Sequence, residues 1–117
     1  MLKLPSGLKI YIASEPVNML NSFNGLSQIT EDILKKDPLS GHMFVFFNKR
    51  KDMVKILYWD LNGFCIWYKR LEKGVFRIPR TQDKVFTLSS GELNLLLEGI
   101  DLTDKNRFSS LDFSNKK

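Results

Sequence analysis

Three runs rich in aromatic and aliphatic residues, Met43 to Phe47, Met53 to Trp59 and Phe64 to Arg70, stand only a few residues apart in the middle of this chain. Short runs of this texture bounded by turn formers read as strands, and connectors this brief join antiparallel neighbours. Asn48 to Asp52 reads as a charged turn. Asp60-Leu61-Asn62-Gly63 is a hairpin signal, because Asp suits the first position of a type I turn and Gly63 tolerates the left-handed conformation. A three-residue loop of Leu61, Asn62 and Gly63 sets Asp60 opposite Phe64. Val54, Ile56, Tyr58, Phe64, Ile66 and Tyr68 then share one sheet face. Met53, Lys55, Leu57, Trp59, Cys65, Trp67 and Lys69 share the other. A two-residue Asn62-Gly63 loop shifts the register by one and mixes the sets. In either register both faces are rich in apolar groups, whereas a sheet with one solvated face alternates apolar with polar. Both faces therefore need cover, one from a first helix and the other from a second helix, the C-terminal tail or a partner.

Helical periodicity flanks this block. Before it, Asn18 is placed to cap a helix whose inward positions Met19, Phe23, Leu26, Ile29 or Thr30, and Ile33 with Leu34 recur at steps of three and four. Gly25 lies inside that helix at a cost of about 1 kcal/mol relative to Ala, and Asp37-Pro38 ends it. After the block, Ser89-Ser90-Gly91-Glu92 fits a capping box ahead of Leu93, Leu96, Leu97 and Ile100, with Gly99 as the stop. Shorter strands are predicted at Leu8 to Ile12, Val75 to Ile78 and Lys84 to Thr87. The expected fold class is α+β: a small antiparallel sheet of consecutive hairpins, packed with one helix from the N-terminal half and one C-terminal helix. Residues 1–101 form one expected domain, and residues 102–117 a polar, loosely held tail.

Charge is unevenly placed. The chain of 117 residues carries 18 basic and 13 acidic side chains, a net +5. Nine of the basic and three of the acidic ones fall between Asn48 and Arg80, a local +6. The remaining nine and ten leave −1 for everything else. Concentrated positive charge favours a polyanion or an acidic protein face. Lys49, Arg50 and Lys51 form the loop best placed for phosphate contacts, with Lys55, Lys69, Arg70, Lys73 and Arg77 as further nucleic-acid-binding candidates. Trp59, Trp67, Tyr58 and Tyr68 are candidates for a partner-docking aromatic face.

Little in the chain points to enzyme chemistry. The acids, among them Asp32, Asp37, Asp52, Asp60 and Glu72, lack a spacing that would converge on a metal ion. One cysteine, Cys65, and one histidine, His42, are too few for a zinc site of four such ligands. Cys65 reads as a small hydrophobe within a strand, and His42 as a strand-edge contact. The seven glycines are isolated turn or cap residues and make no phosphate-binding loop. No catalytic set, metal, cofactor or small-molecule substrate is expected. No apolar run approaches the roughly 18 residues of a membrane span, the N-terminus lacks a secretory core, and a reducing cytoplasm is the expected compartment.

Several strings together resemble a known family. They are Asp37-Pro38-Leu39-Ser40-Gly41-His42-Met43-Phe44-Val45-Phe46, Lys55-Ile56-Leu57-Tyr58-Trp59-Asp60-Leu61-Asn62-Gly63-Phe64, Lys69-Arg70-Leu71-Glu72-Lys73-Gly74-Val75-Phe76 and Leu95-Leu96-Leu97-Glu98-Gly99-Ile100-Asp101. In order and spacing they are similar to the TnpB accessory proteins of the insertion sequence 66 family of bacterial transposons. These are distinct from the longer RNA-guided nucleases that share the name. Asn18-Met19 and Phe23-Asn24-Gly25-Leu26 resemble the family's Asp-Met and Phe-Asp-Gly-Leu, while Leu20 and Asn21 stand where basic residues are common. The resemblance implies a non-enzymatic accessory of transposition, with a separate element-encoded transposase as partner and strand cleavage left to that enzyme. DNA contact through the basic hairpin surface is the expected mode. The alternative is an adaptor that docks on the transposase through an aromatic sheet face without touching DNA.

Overall fold

A computed structural model describes residues 7–101. The elements run β1 (Ile10–Ala13), α1 (Phe23–Asp32), β2 (Met43–Phe47), β3 (Met53–Asp60), β4 (Gly63–Arg70), β5 (Val85–Leu88) and α2 (Ser90–Leu97). They build one five-stranded sheet in the order β4-β3-β2-β1-β5, an α+β fold. The hairpins β2-β3 and β3-β4 are antiparallel as the sequence suggests, and β5 is antiparallel to β1. Two pairings differ from a plain run of hairpins, since β5 returns to the edge of β1 rather than to β4. The chain also crosses through α1 between β1 and β2, which therefore lie parallel, Ile10 beside Met43.

β2 explains the layering. All five of its residues are buried, so it needs cover on both faces. On one face Met43, Val45 and Phe47 join Ile10, Ile12, Val54 and Ile56 under Leu93, Leu96 and Leu97 of α2. On the other, Phe44, Phe46 and Leu57 pack with Leu26 of α1 and with Leu34 just beyond it. Both faces are covered as expected, one by the first helix, and of the second helix, the tail or a partner expected for the other, it is the second helix that packs there. The segment expected as a strand from Val75 to Ile78 does not join the sheet; it sends Phe76 and Ile78 into the α2-side core. The polar tail expected over residues 102–117 lies outside the described residues.

The β3-β4 register is neither of the two the sequence suggested. Asp60 lies opposite Gly63 and Trp59 opposite Phe64, leaving Leu61 and Asn62 as the loop. Leu61 takes the left-handed conformation at φ 54° and the Asn62 N–H donates to the Asp60 carbonyl at 2.5 Å. The chain thus reverses one residue early and Gly63 becomes the first residue of β4. Directly opposed residues share a face. Val54, Ile56 and Tyr58 therefore stand with Lys69, Trp67 and Cys65, and Lys55, Leu57 and Trp59 with Tyr68, Ile66 and Phe64.

The two helix starts differ: α2 carries a side-chain cap, whereas the Ser22 side chain at the start of α1 makes no capping bond. At α2, Ser89 Oγ accepts from the Glu92 N–H at 3.1 Å while a Glu92 carboxylate oxygen accepts from the Ser89 N–H at 2.8 Å, the expected capping box. At its end Gly99, at φ 91°, donates to Leu96 and Ile100 donates to Leu95, the paired closure of a Schellman motif. α1 starts later than Asn18 suggested, with Ser22 as the capping position. Asn18 instead closes a turn, its Oδ1 accepting from the Leu20 N–H at 2.8 Å. The Asn21 side chain lies over Gly25, and a Cβ there would have to displace it.

Leu61 is 93% exposed, so its side chain contributes no packing to offset its backbone conformation. A left-handed non-glycine residue costs about 1–2 kcal/mol, partly balanced by the greater freedom glycine has when unfolded. Leu61→Gly is expected to raise the stability by roughly 0.5–1 kcal/mol in urea unfolding. An unchanged or lower midpoint would show that the turn carries no such strain.

Candidate nucleic-acid interface

The basic residues of the β2-β3 turn and those after β4 are far apart in sequence, and two backbone bonds join them. The Leu71 N–H donates to the Asp52 carbonyl and the Phe76 N–H to the Lys51 carbonyl, both at 2.7 Å. The turn itself is held by Asn48, whose Oδ1 accepts from the N–H groups of Asp52 and Met53 at 3.1 and 3.0 Å. Its Nδ2 donates to Asp52 Oδ1 at 2.6 Å. Lys51 takes φ 60° to complete the loop. One end of the sheet therefore carries Lys49, Arg50, Lys51, Lys69, Arg70, Lys73 and Arg77 against Asp52 and Glu72. Seven basic and two acidic residues leave a surplus of five.

These cations have different surroundings. Lys49, Arg50, Lys73 and Arg77 are exposed, and Lys51 is half-buried. Arg70 is exposed and pairs with Glu72 at 3.0 Å; the hydrogen bond first, and the carboxylate's charge second, raise the guanidinium above its ordinary pKa. Lys69 Nζ donates to the Leu97 carbonyl at 2.8 Å and so closes the C-terminal end of α2. Lys55, grouped with the phosphate-binding candidates from sequence, is only 8% exposed and faces inward. Its ammonium donates to the carbonyls of Met19 (2.7 Å) and Asn21 (2.8 Å) and lies 4.7 Å from the centre of the Tyr68 ring. That role was invisible in sequence, because it depends on a turn more than thirty residues away.

The four aromatic candidates do not gather on one face. Tyr58 and Trp67 lie on the α2 side, and Trp59 and Tyr68 on the α1 side. Trp59 meets Phe64 edge-to-face with centroids 5.1 Å apart. Tyr68 is 51% exposed and gives its hydroxyl to Met53 Sδ at 3.3 Å. His42 sits at the strand edge, its Nδ1 accepting from the Lys9 N–H at 3.0 Å. Among the described residues no three His, Cys, Asp or Glu side chains gather into a metal-binding group, and no helix is long and apolar enough to cross a membrane.

A shallow groove of about 530 Å³ borders the basic end. Pro16, Val17, Met19 and Met53 supply its apolar lining, and Asn18, Asn48, Lys49 and Arg50 its polar lining. Sequence reading missed this feature, since the groove forms only when the segment before α1 comes alongside the β2-β3 turn, where the Val17 N–H donates to the Phe47 carbonyl at 2.9 Å.

The family model for the IS66 Orf2-like proteins matches residues 8–107. The chain belongs to this family. An uncharacterised protein of Sinorhizobium fredii, y4jC, is 38% identical over 97 residues, covering 83% of each chain. A second protein of that organism, y4hO, also uncharacterised, is 34% identical over 100 residues, covering 84% of this chain and 87% of its own. No solved structure matches. The family is one of accessory proteins associated with transposition of insertion sequences, and this IS66 Orf2-like chain joins that association to a sheet with one basic end.

Tyr58 gives a test of the α2-side face. Burial foremost, then the charge of and hydrogen bond to Cys65, and last the charge of Asp60, raise its phenol above the ordinary 10.0. The folded protein thus holds this proton more tightly than the unfolded chain. The resulting stability is fully present below pH 10 and is lost as the pH rises through the raised folded value. Tyr58→Phe is expected to flatten the loss of stability in alkaline urea titrations; an unaltered alkaline limb would contradict the environment assigned to Tyr58.

Proposed function

We propose that this protein assists a separate transposase by binding DNA through the basic end of its sheet. The observation that carries this reading is the union of two basic segments by the Asp52–Leu71 and Lys51–Phe76 backbone bonds. Charges that would be diluted around a small protein instead form one surface, with Lys49, Arg50, Lys73 and Arg77 exposed on it. Such a surface attracts phosphates from a distance and releases condensed counterions on contact. Cations of this kind give affinity and orientation without reading base sequence. Site selection and strand chemistry then fall to the transposase, the partner in this reading. Family membership supports the transposition setting. The division of the aromatic candidates between two faces makes an aromatic docking face the weaker alternative.

Reversing the charge of Lys49, Arg50 and Lys51 to Glu is expected to weaken binding to a labelled duplex. It should also flatten the dependence of log K on log salt by roughly 0.9 for each phosphate that the variant no longer neutralises. Circular dichroism establishes that the variant is folded. A folded variant with unchanged affinity and slope would sink the proposal.

A further inference from the structure

Beside the groove, the turn over residues 18–21 projects a side chain that nothing in the described structure covers. Leu20 is 90% exposed, yet the backbone around it is held by several hydrogen bonds. Asn18 Oδ1 accepts from the Leu20 N–H at 2.8 Å, and the Asn18 carbonyl accepts from the Asn21 N–H at 3.1 Å and from Asn21 Nδ2 at 2.9 Å. From beneath, the buried Lys55 ammonium holds the carbonyls on either side of Leu20, those of Met19 and Asn21. Burying an ammonium is costly unless it is well bonded, and here the bonds fix the turn that displays Leu20.

The surroundings say what such a knob fits. Met19 lines the groove, whose lining joins apolar Pro16, Val17 and Met53 to the cations Lys49 and Arg50. A DNA strand seen from the minor groove has the same two-part chemistry: carbon-rich deoxyribose edges flanked by phosphates. Of the groove's described lining residues none is aromatic, so it offers no stacking platform for an unpaired base. The other nearly bare leucine, Leu61, sits at the opposite end of the sheet, next to Asp60 and away from the cationic cluster.

We infer that Leu20 is a wedge that enters a base step of duplex DNA from the minor groove, with Lys49 and Arg50 on the adjoining phosphates, and kinks the duplex. This rests on the DNA-binding reading above and deepens it from a charged contact to a bending one. Apolar side chains used in this way unstack a step and bend the duplex by about 20–90°. The rigidity supplied by Lys55 and the two asparagines means that little ordering entropy is lost when the knob inserts.

The test is fluorescence energy transfer between the ends of a duplex of about 25 base pairs with a central TA step, the kind most easily kinked. The full chain is expected to raise transfer. Leu20→Ala should bind within about threefold of the parent with an unchanged salt slope, because phosphate contacts carry the affinity, but leave the duplex straight. Leu20→Met, which keeps an apolar wedge, should still bend it. Bending by Leu20→Ala equal to the parent overturns the inference. So does binding by the parent without bending; in that case the DNA reading stands and the knob belongs to a protein interface. No salt-dependent binding by the parent removes the DNA reading and the wedge with it.

Discussion

A strand that is apolar at every position has to be covered twice, and much of this molecule follows from that requirement in β2. Phe44 and Phe46 point to one side, Met43, Val45 and Phe47 to the other, and all five are buried. One cover is α1, inserted between β1 and β2, which makes those strands parallel. The other needs α2 together with the stretch after β4, which sends Phe76 and Ile78 under the sheet. To reach that position the stretch must pass the β2-β3 turn, and it bonds to it at Lys51 and Asp52. The clustering of positive charge is thus a by-product of closing the hydrophobic core. Lys73 and Arg77 come beside Lys49 and Arg50 because Phe76 and Ile78 must be buried.

The lysines show how burial sorts residues that look alike in a sequence. Lys55 and Lys49 both lie in or next to the β2-β3 hairpin. Lys55 falls on the alternation that faces α1, across from Phe46 on one side and Tyr68 on the other. Its stem packs within the sheet and its ammonium finds carbonyls rather than water. Lys49 lies in the turn and stays solvated. Lys69 is a third case, with its ammonium at the end of α2, where unsatisfied carbonyls and the helix dipole favour a cation. A surface count of positive charge therefore overstates what is free to meet a phosphate.

Much of the fold was legible because local chemistry and global packing agree. The capping box at Ser89, the stop at Gly99, the three central strands and the need for two covering layers are each written in a few adjacent residues. The β3-β4 register was not, because Gly63 looked like the residue required to turn the chain. The backbone instead places Leu61 in the left-handed region, an arrangement no propensity favours. Val75 to Ile78 has a strand's texture because alternate residues are buried, but the edges of the sheet are elsewhere. The parallel pairing of β1 was hidden for a different reason: a short strand before a helix carries no local mark of its eventual neighbour. The basic end was half legible. Its residues could be named, but their meeting, and the withdrawal of Lys55 from among them, are tertiary events.

The two ends of the sheet differ in a way that orients the molecule. The β3-β4 turn brings Asp60 and an exposed Leu61 together in the left-handed turn, held by one short backbone bond. The other end combines a surplus of cations with a turn fixed by two asparagines and a buried lysine. A polyanion approaching this dipolar arrangement is drawn to the second end and turned to face it before contact. At that end, among the described residues, hydrogen-bonded turns back the exposed side chains, so the surface that draws a polyanion is also one whose backbone is set in advance. Two neighbouring turns share that end: the cationic one is held by Asn48, and the one that displays Leu20 is held by Lys55, which contributes no charge to the surface itself.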